Sequence, residues 1–177
     1  MVEGIIPGVI SGVISSVFLY IVIFRIKPRL KISDDICRDK QNHSFRVKVV
    51  NLTRVNLVDV KYTLDVCYPH GDGIVDIQEI IPAKSRMEFM EAYSSDEENS
   101  NYAVRLSYNI DDSIFQKDCY FLFTFYAKHA VSGTATFIRK QFYPKNIKCG
   151  HFEMGKSTKI IVEPCHQTFC NCNKRCG

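Results

Sequence analysis

The chain reads as an all-β domain behind one N-terminal transmembrane helix, the domain being an antiparallel β-sandwich of immunoglobulin-like layering or a small β-barrel. Three observations lead there. Gly4–Phe24 is an uncharged, apolar run of 21 residues. After it, apolar and polar residues alternate with a period of two in segment after segment, the signature of strands with one covered and one wet face. Turn residues divide these segments at nearly even spacing, and no sustained helical period occurs among them.

The opening run spans roughly 30 Å as a helix, the thickness of a bilayer's hydrocarbon core. Glu3 is the sole charge before it, and Arg25, Lys27, Arg29 and Lys31 follow it closely. A cleaved secretory signal has a positive start and a shorter apolar stretch, so this pattern predicts an uncleaved, single-pass anchor. Basic residues collect on the cytoplasmic flank, which places the N-terminus outside and the rest of the chain in the cytoplasm at a plasma (inner) membrane. Gly4, Gly8, Gly12 and Ser16 recur every four residues, with Ser11 and Ser15 beside them. On a helix these six share an arc of about 140°, a small-residue face of the kind that lets two membrane helices approach closely. A homo-oligomer through this face is expected. Pro7 falls in the first turn, where its missing N–H costs nothing.

Pro28 ends the helical pattern, and nine strands are expected after it. They are Leu30–Ser33, Phe45–Val49, Val58–Val66, Ile74–Ile81, Arg86–Ala92, Tyr102–Ile110, Cys119–Ala127, Thr134–Tyr143 and Thr158–Glu163. Pro69–Gly73, Ile81–Ala83, Ser94–Asn101 and Ser132-Gly133 supply turns. Tyr120–Tyr126 is apolar or aromatic on both faces and reads as a central strand. The expected division is an anchor over 1–27, one β-domain over 28–163 and a Cys-rich tail over 164–177.

The net charge of +4 is unevenly spread. Four basic residues lie at 25–31, whereas 32–163 holds 17 Lys and Arg against 18 Asp and Glu. The excess therefore sits against the membrane, where anionic headgroups attract it, and at the extreme terminus with Lys174 and Arg175, and no basic stripe for nucleic acid is present. Eight cysteines would suggest disulfides in a secreted protein, but a cytoplasmic domain keeps most as thiols. Cys37, Cys67, Cys119 and Cys149 read as ordinary body residues. Cys165, Cys170, Cys172 and Cys176, beside His166, hold enough sulfur for a tetrahedral zinc ion, though without paired C-x2-C knuckles. The expectation is no cofactor, with tail-borne zinc or redox chemistry as an alternative. The sequons at Asn42 and Asn51 would matter only for an outward-facing domain.

No phosphate-binding loop, metalloprotease helix, nucleophile elbow or kinase signature is present. Asp34-Asp35 and Asp111-Asp112 look like turn residues. His129 with Ser132 is the nearest approach to a catalytic pair, and it lacks a third group to orient the base. His151 reads as a loop histidine. A non-enzymatic module is expected, tethered to membrane lipid and recognising a protein or small-molecule partner.

Ile6–Ser16, Lys27-Pro28, Phe45–Asn51 and His129–Gly133 resemble segments of small bacterial membrane proteins with one N-terminal helix and a β-sandwich, which have no assigned active site. The layout is also similar to membrane effectors of bacterial anti-phage systems, in which a β-barrel bound to a nucleotide signal drives assembly of membrane helices. That likeness implies a signal-triggered effector as the alternative function.

Overall fold

In the computed structural model, residues 5–39, 44–80, 86–95, 101–111, 114–115 and 118–163 are described, except for the side chains of 5–8, 24 and 25. The elements run in the order α1 (Ile5–Arg25), β1 (Leu30–Ile32), β2 (Ile36–Arg38), β3 (Ser44–Asn51), β4 (Leu57–Pro69), β5 (Val75–Ile80), β6 (Arg86–Met90), β7 (Ala103–Asn109), β8 (Tyr120–His129), β9 (Ala135–Phe142), β10 (Ile147–Phe152) and β11 (Ile160–Val162).

The 21-residue α1 is rich in Ile and Val, residues that favour strands in water. Its large apolar side chains from Val9 to Val22 are 40–69% exposed, so the β-domain covers none of them. Among the described residues no helix is long and apolar enough to cross a membrane. The described side chains of α1 run from 9 to 23, a stretch of roughly 22 Å at about 1.5 Å per residue.

The strands form two sheets, as a sandwich requires. The first has the order β1-β3-β2-β10-β11, with β7 also on β3; the second has the order β5-β4-β8-β9, with β6 also on β4. Strands β1 and β2 pair end to end along β3, opposite Val49–Asn51 and Phe45-Arg46. The expectation of purely antiparallel pairing needs one correction, because β10 joins β2 in parallel. Both β2 and β10 are additional to the nine expected strands. β2 is too short to show alternation, and Gly150 interrupts β10. Gly150 has φ +145°, and an added Cβ would sit 2.0 Å from the Ile161 carbonyl oxygen, so only glycine lets β11 pair there.

Between the sheets, Val47, Val49, Leu106 and Tyr108 of the first meet Tyr62, Leu64, Val66, Phe121, Phe123 and Phe125 of the second. Tyr62 and Tyr108 meet edge to face, with centroids 6.4 Å apart. Strand β8 is central, between β4 and β9, and alternates buried with half-buried residues. The doubly apolar Tyr120–Tyr126 thus has one face in the core and one only partly covered.

Candidate functional site

The outer face of the second sheet carries a groove of about 390 Å³. Strand register places Arg86 (β6), Lys61 (β4), Tyr126 (β8) and Phe137 (β9) in one row across four strands. One step along, a β-bulge interrupts β4 between Val58 and Lys61. The bulge puts Asp59 at φ 52°, a conformation costly for a residue with a Cβ. There its carboxylate reaches Lys128 at 2.8 Å and Arg86 at 3.7 Å. The Lys128 hydrogen bond holds Asp59 below the usual carboxylate range, and the same bond raises Lys128. Phe137 is 58% exposed, with the Arg139 guanidinium 5.2 Å from its ring centroid. Three cations, Lys61, Arg86 and Lys128, therefore face one carboxylate beside an exposed aromatic face. Such a surface suits an anionic group carried on a flat or apolar body. Sequence reading missed it because its residues come from four separated strands, and only the register brings them together.

A second groove, of about 610 Å³, follows the outer edge of β7 towards Met87 and Met154. At its wall lies Lys48, which alternation assigns to the wet side of β3 but which is 1% exposed. Its Nζ donates to the Glu153 carbonyl at 2.6 Å, and its amide donates to Ser33 Oγ at 3.2 Å. Burial first, and then repulsion from Arg105 opposite it on β7, push its pKa down to about 8. The amine thus fastens the turn after β10 over β3. The covering residue is 105 positions away in sequence, beyond the reach of any local pattern.

The helix exit is a third constellation. Ile26 O accepts from Ser132 Oγ at 3.0 Å and from Thr134 Oγ1 at 2.5 Å. The Arg29 amide donates to Thr53 Oγ1, and the Leu52 amide donates to Arg29 O, both at 2.8 Å. The β8–β9 hairpin and the β3–β4 turn together grip residues 26–29. Gly133, at φ 68°, permits the tight hairpin turn. His129 is buried, with Nδ1 accepting from the Ser132 amide at 3.1 Å and Nε2 without a hydrogen-bond partner among the described residues. Ser132 Oγ points to Ile26 and Thr134, not to the imidazole, so these residues form no nucleophile–base pair.

Of the small-residue face, Ser11, Gly12, Ser15 and Ser16 are described in α1; Gly8 lies within the helix, and Gly4 lies outside the described residues. Ser16 Oγ bonds back to Gly12 O at 2.8 Å, and a Cβ at Gly12 would meet nothing within 4 Å. The face is open and its hydroxyl is internally satisfied. Lys27, Arg29 and Lys31 are exposed, while the Arg25 side chain lies outside the described residues.

Cys165, Cys170, Cys172 and Cys176 also lie outside the described residues. Among those described, no group of three or more His, Cys, Asp or Glu could hold a metal ion. Cys37, Cys67 and Cys119 are buried thiols. Cys149, which reads from the sequence as an ordinary body residue, is disulfide-bonded. Asp34 and Asp35 form ion pairs with Lys140 and Lys148, both at 2.6 Å. His151 pairs with Glu163 at 2.9 Å. Asn51 is fully buried, bonding Val55 O, Glu91 O and the Thr53 amide, so this sequon asparagine is structural.

No protein-family model matches the chain, and neither does any curated protein.

Proposed function

We propose that the chain is a membrane-tethered, non-enzymatic binding module whose helix self-associates and whose β-domain captures an anionic ligand or partner. The observation that carries this reading is α1: 21 residues, no charge before Arg25, and large apolar side chains that the β-domain leaves uncovered. Water does not tolerate that surface, whereas a bilayer matches it. The grip on Ile26–Arg29 supports a helix and domain that move together, a useful property if ligand capture is to alter helix assembly. The groove around Lys61 and Phe137 favours an anion over a neutral ligand, and it is the feature on which a signal-triggered membrane effector would draw.

For topology, the basic flank favours a cytoplasmic β-domain in a plasma (inner) membrane. The Cys149 disulfide weighs against it, since such bonds persist on oxidising sides. The buried thiols discriminate little, being protected on either side. We give the flank precedence, because Arg25, Lys27, Arg29 and Lys31 stand within seven positions at the end of the apolar run. Protease protection in sealed vesicles decides the point.

Self-association is tested by replacing Gly8 and Gly12 with Leu in the full chain and measuring energy transfer between labelled copies in bilayers. Transfer is expected to fall to the level of random mixing. Unchanged transfer removes helix self-association from the reading.

A further inference from the structure

We infer that the end of the β-domain from which α1 leaves is a lipid-docking face, seated on an anionic bilayer surface. The inference rests on the tether reading and adds a second, independent contact with the membrane. Three segments converge at this end through the hydrogen bonds of the helix exit: the linker 26–29, the β3–β4 turn and the β8–β9 hairpin. The Ala130 amide bonds Asn56 O, tying hairpin and turn directly to each other. At the rim stand Val131, 74% exposed at the hairpin tip, Ile26 at 41% and Leu52 at 39%. Residues 26–31, 52–56 and 130–134 contain Lys27, Arg29, Lys31 and Arg54 and no Asp or Glu. Apolar tips beside the basic residues of these three segments are what an anionic interface accommodates: the tips enter the headgroup layer and the cations meet phosphates.

The location adds to the composition. These tips surround the point where the chain would enter lipid, so docking requires no rearrangement of the domain. One feature opposes it. The Tyr93 amide bonds Thr53 O at this end, and the sequence after it carries Asp96, Glu97 and Glu98, which lie outside the described residues. Docking is therefore assigned to the hairpin, turn and linker, and not to every loop at that end.

The chain contains no tryptophan, so a single introduced indole reports its own surroundings without background. The full chain carrying Val131→Trp is reconstituted into vesicles of phosphatidylcholine with phosphatidylglycerol, made with lipids brominated near the top of the acyl chain. The control is Ile77→Trp, on β5, which is 65% exposed and pairs with the far half of β4. It carries the same intrinsic preference of indole for interfaces. Flotation of the vesicles first establishes that each protein is incorporated. The expected result is loss of most Val131→Trp emission and little loss for Ile77→Trp. Replacing Arg29 and Arg54 with Gln should restore emission, as should vesicles without phosphatidylglycerol. Equal quenching at both positions, or none at Val131→Trp in protein that floats, overturns the docking face and leaves the tether standing. Protein that does not float overturns the tether and the docking inference with it. Leu52→Trp serves as a second reporter should the hairpin variant fail to fold.

Discussion

Replacing Lys48 with Met should stabilise the β-domain at neutral pH and remove a specific rise of stability with pH. The lysine is fully covered, and burial with Arg105 nearby brings its pKa from an ordinary 10.5 to about 8. That fall corresponds to roughly 3 kcal/mol of differential cost for the charged form, at about 1.4 kcal/mol per pH unit. This is an upper bound, since Lys48 lines the wall of an open groove of about 610 Å³. Loss of the bond to Glu153 O takes back about 1–2 kcal/mol, and methionine conserves the volume. The net gain at pH 7 is thus about 1–2 kcal/mol.

The sign with pH follows from proton binding. Below the folded value both states are protonated and the penalty stands in full. Above about 8 the folded amine sheds its proton while the unfolded one keeps it up to 10.5, so stability climbs. Cys37, pushed up to about 11 by burial, acts oppositely above pH 9, because the unfolded thiol ionises first. The clean window lies between about pH 8 and 9. Urea midpoints of the detergent-solubilised full chain, followed by circular dichroism, should rise across that window in wild type and stay flat in Lys48→Met. A flat wild-type profile, or the same rise in the variant, refutes the assignment of a buried, charge-penalised lysine.

Other consequences are as direct. Ser132→Ala with Thr134→Val empties two donors from Ile26 O, an exposed acceptor that water can then satisfy. Domain stability should change by less than about 1 kcal/mol while trypsin cuts faster after Arg29, and an unaltered cleavage rate would mean the grip is not made in solution. Asn51→Ala removes a buried amide and leaves three half-buried backbone partners without it, and should cost about 2–4 kcal/mol in a urea titration, a loss below about 1 kcal/mol being contrary to the bonds described. Lys61→Gln with Arg86→Gln should abolish the rise in unfolding temperature that millimolar pyrophosphate gives the wild type; a rise reproduced by chloride at equal ionic strength would discount the groove.

Much of the fold is legible from the residues because period-two alternation is a local property. Tyr102–Ile110 and Thr134–Tyr143 announce β7 and β9 closely, and Val58–Val66 marks most of β4. What escapes is non-local. Strands β2 and β10 meet in a parallel ladder between segments more than a hundred residues apart. Lys48 obeys the alternation of β3 and is still buried, since a distant turn closes over that face. The candidate groove had no signal at all in single strands: Lys61 and Phe137 become neighbours of Tyr126 only once β4, β8 and β9 are in register. By contrast, Ser132-Gly133 reads correctly as a turn from its residue types, though nothing local indicates that its hydroxyl holds the end of α1.

The claim beneath all of this is that Ile5–Arg25 holds the β-domain to a bilayer. Alkaline carbonate extraction of membranes from cells making the full chain tests it most directly. The protein should stay in the pelleted bilayer and leave it only with detergent. Recovery in the carbonate supernatant would contradict the tether.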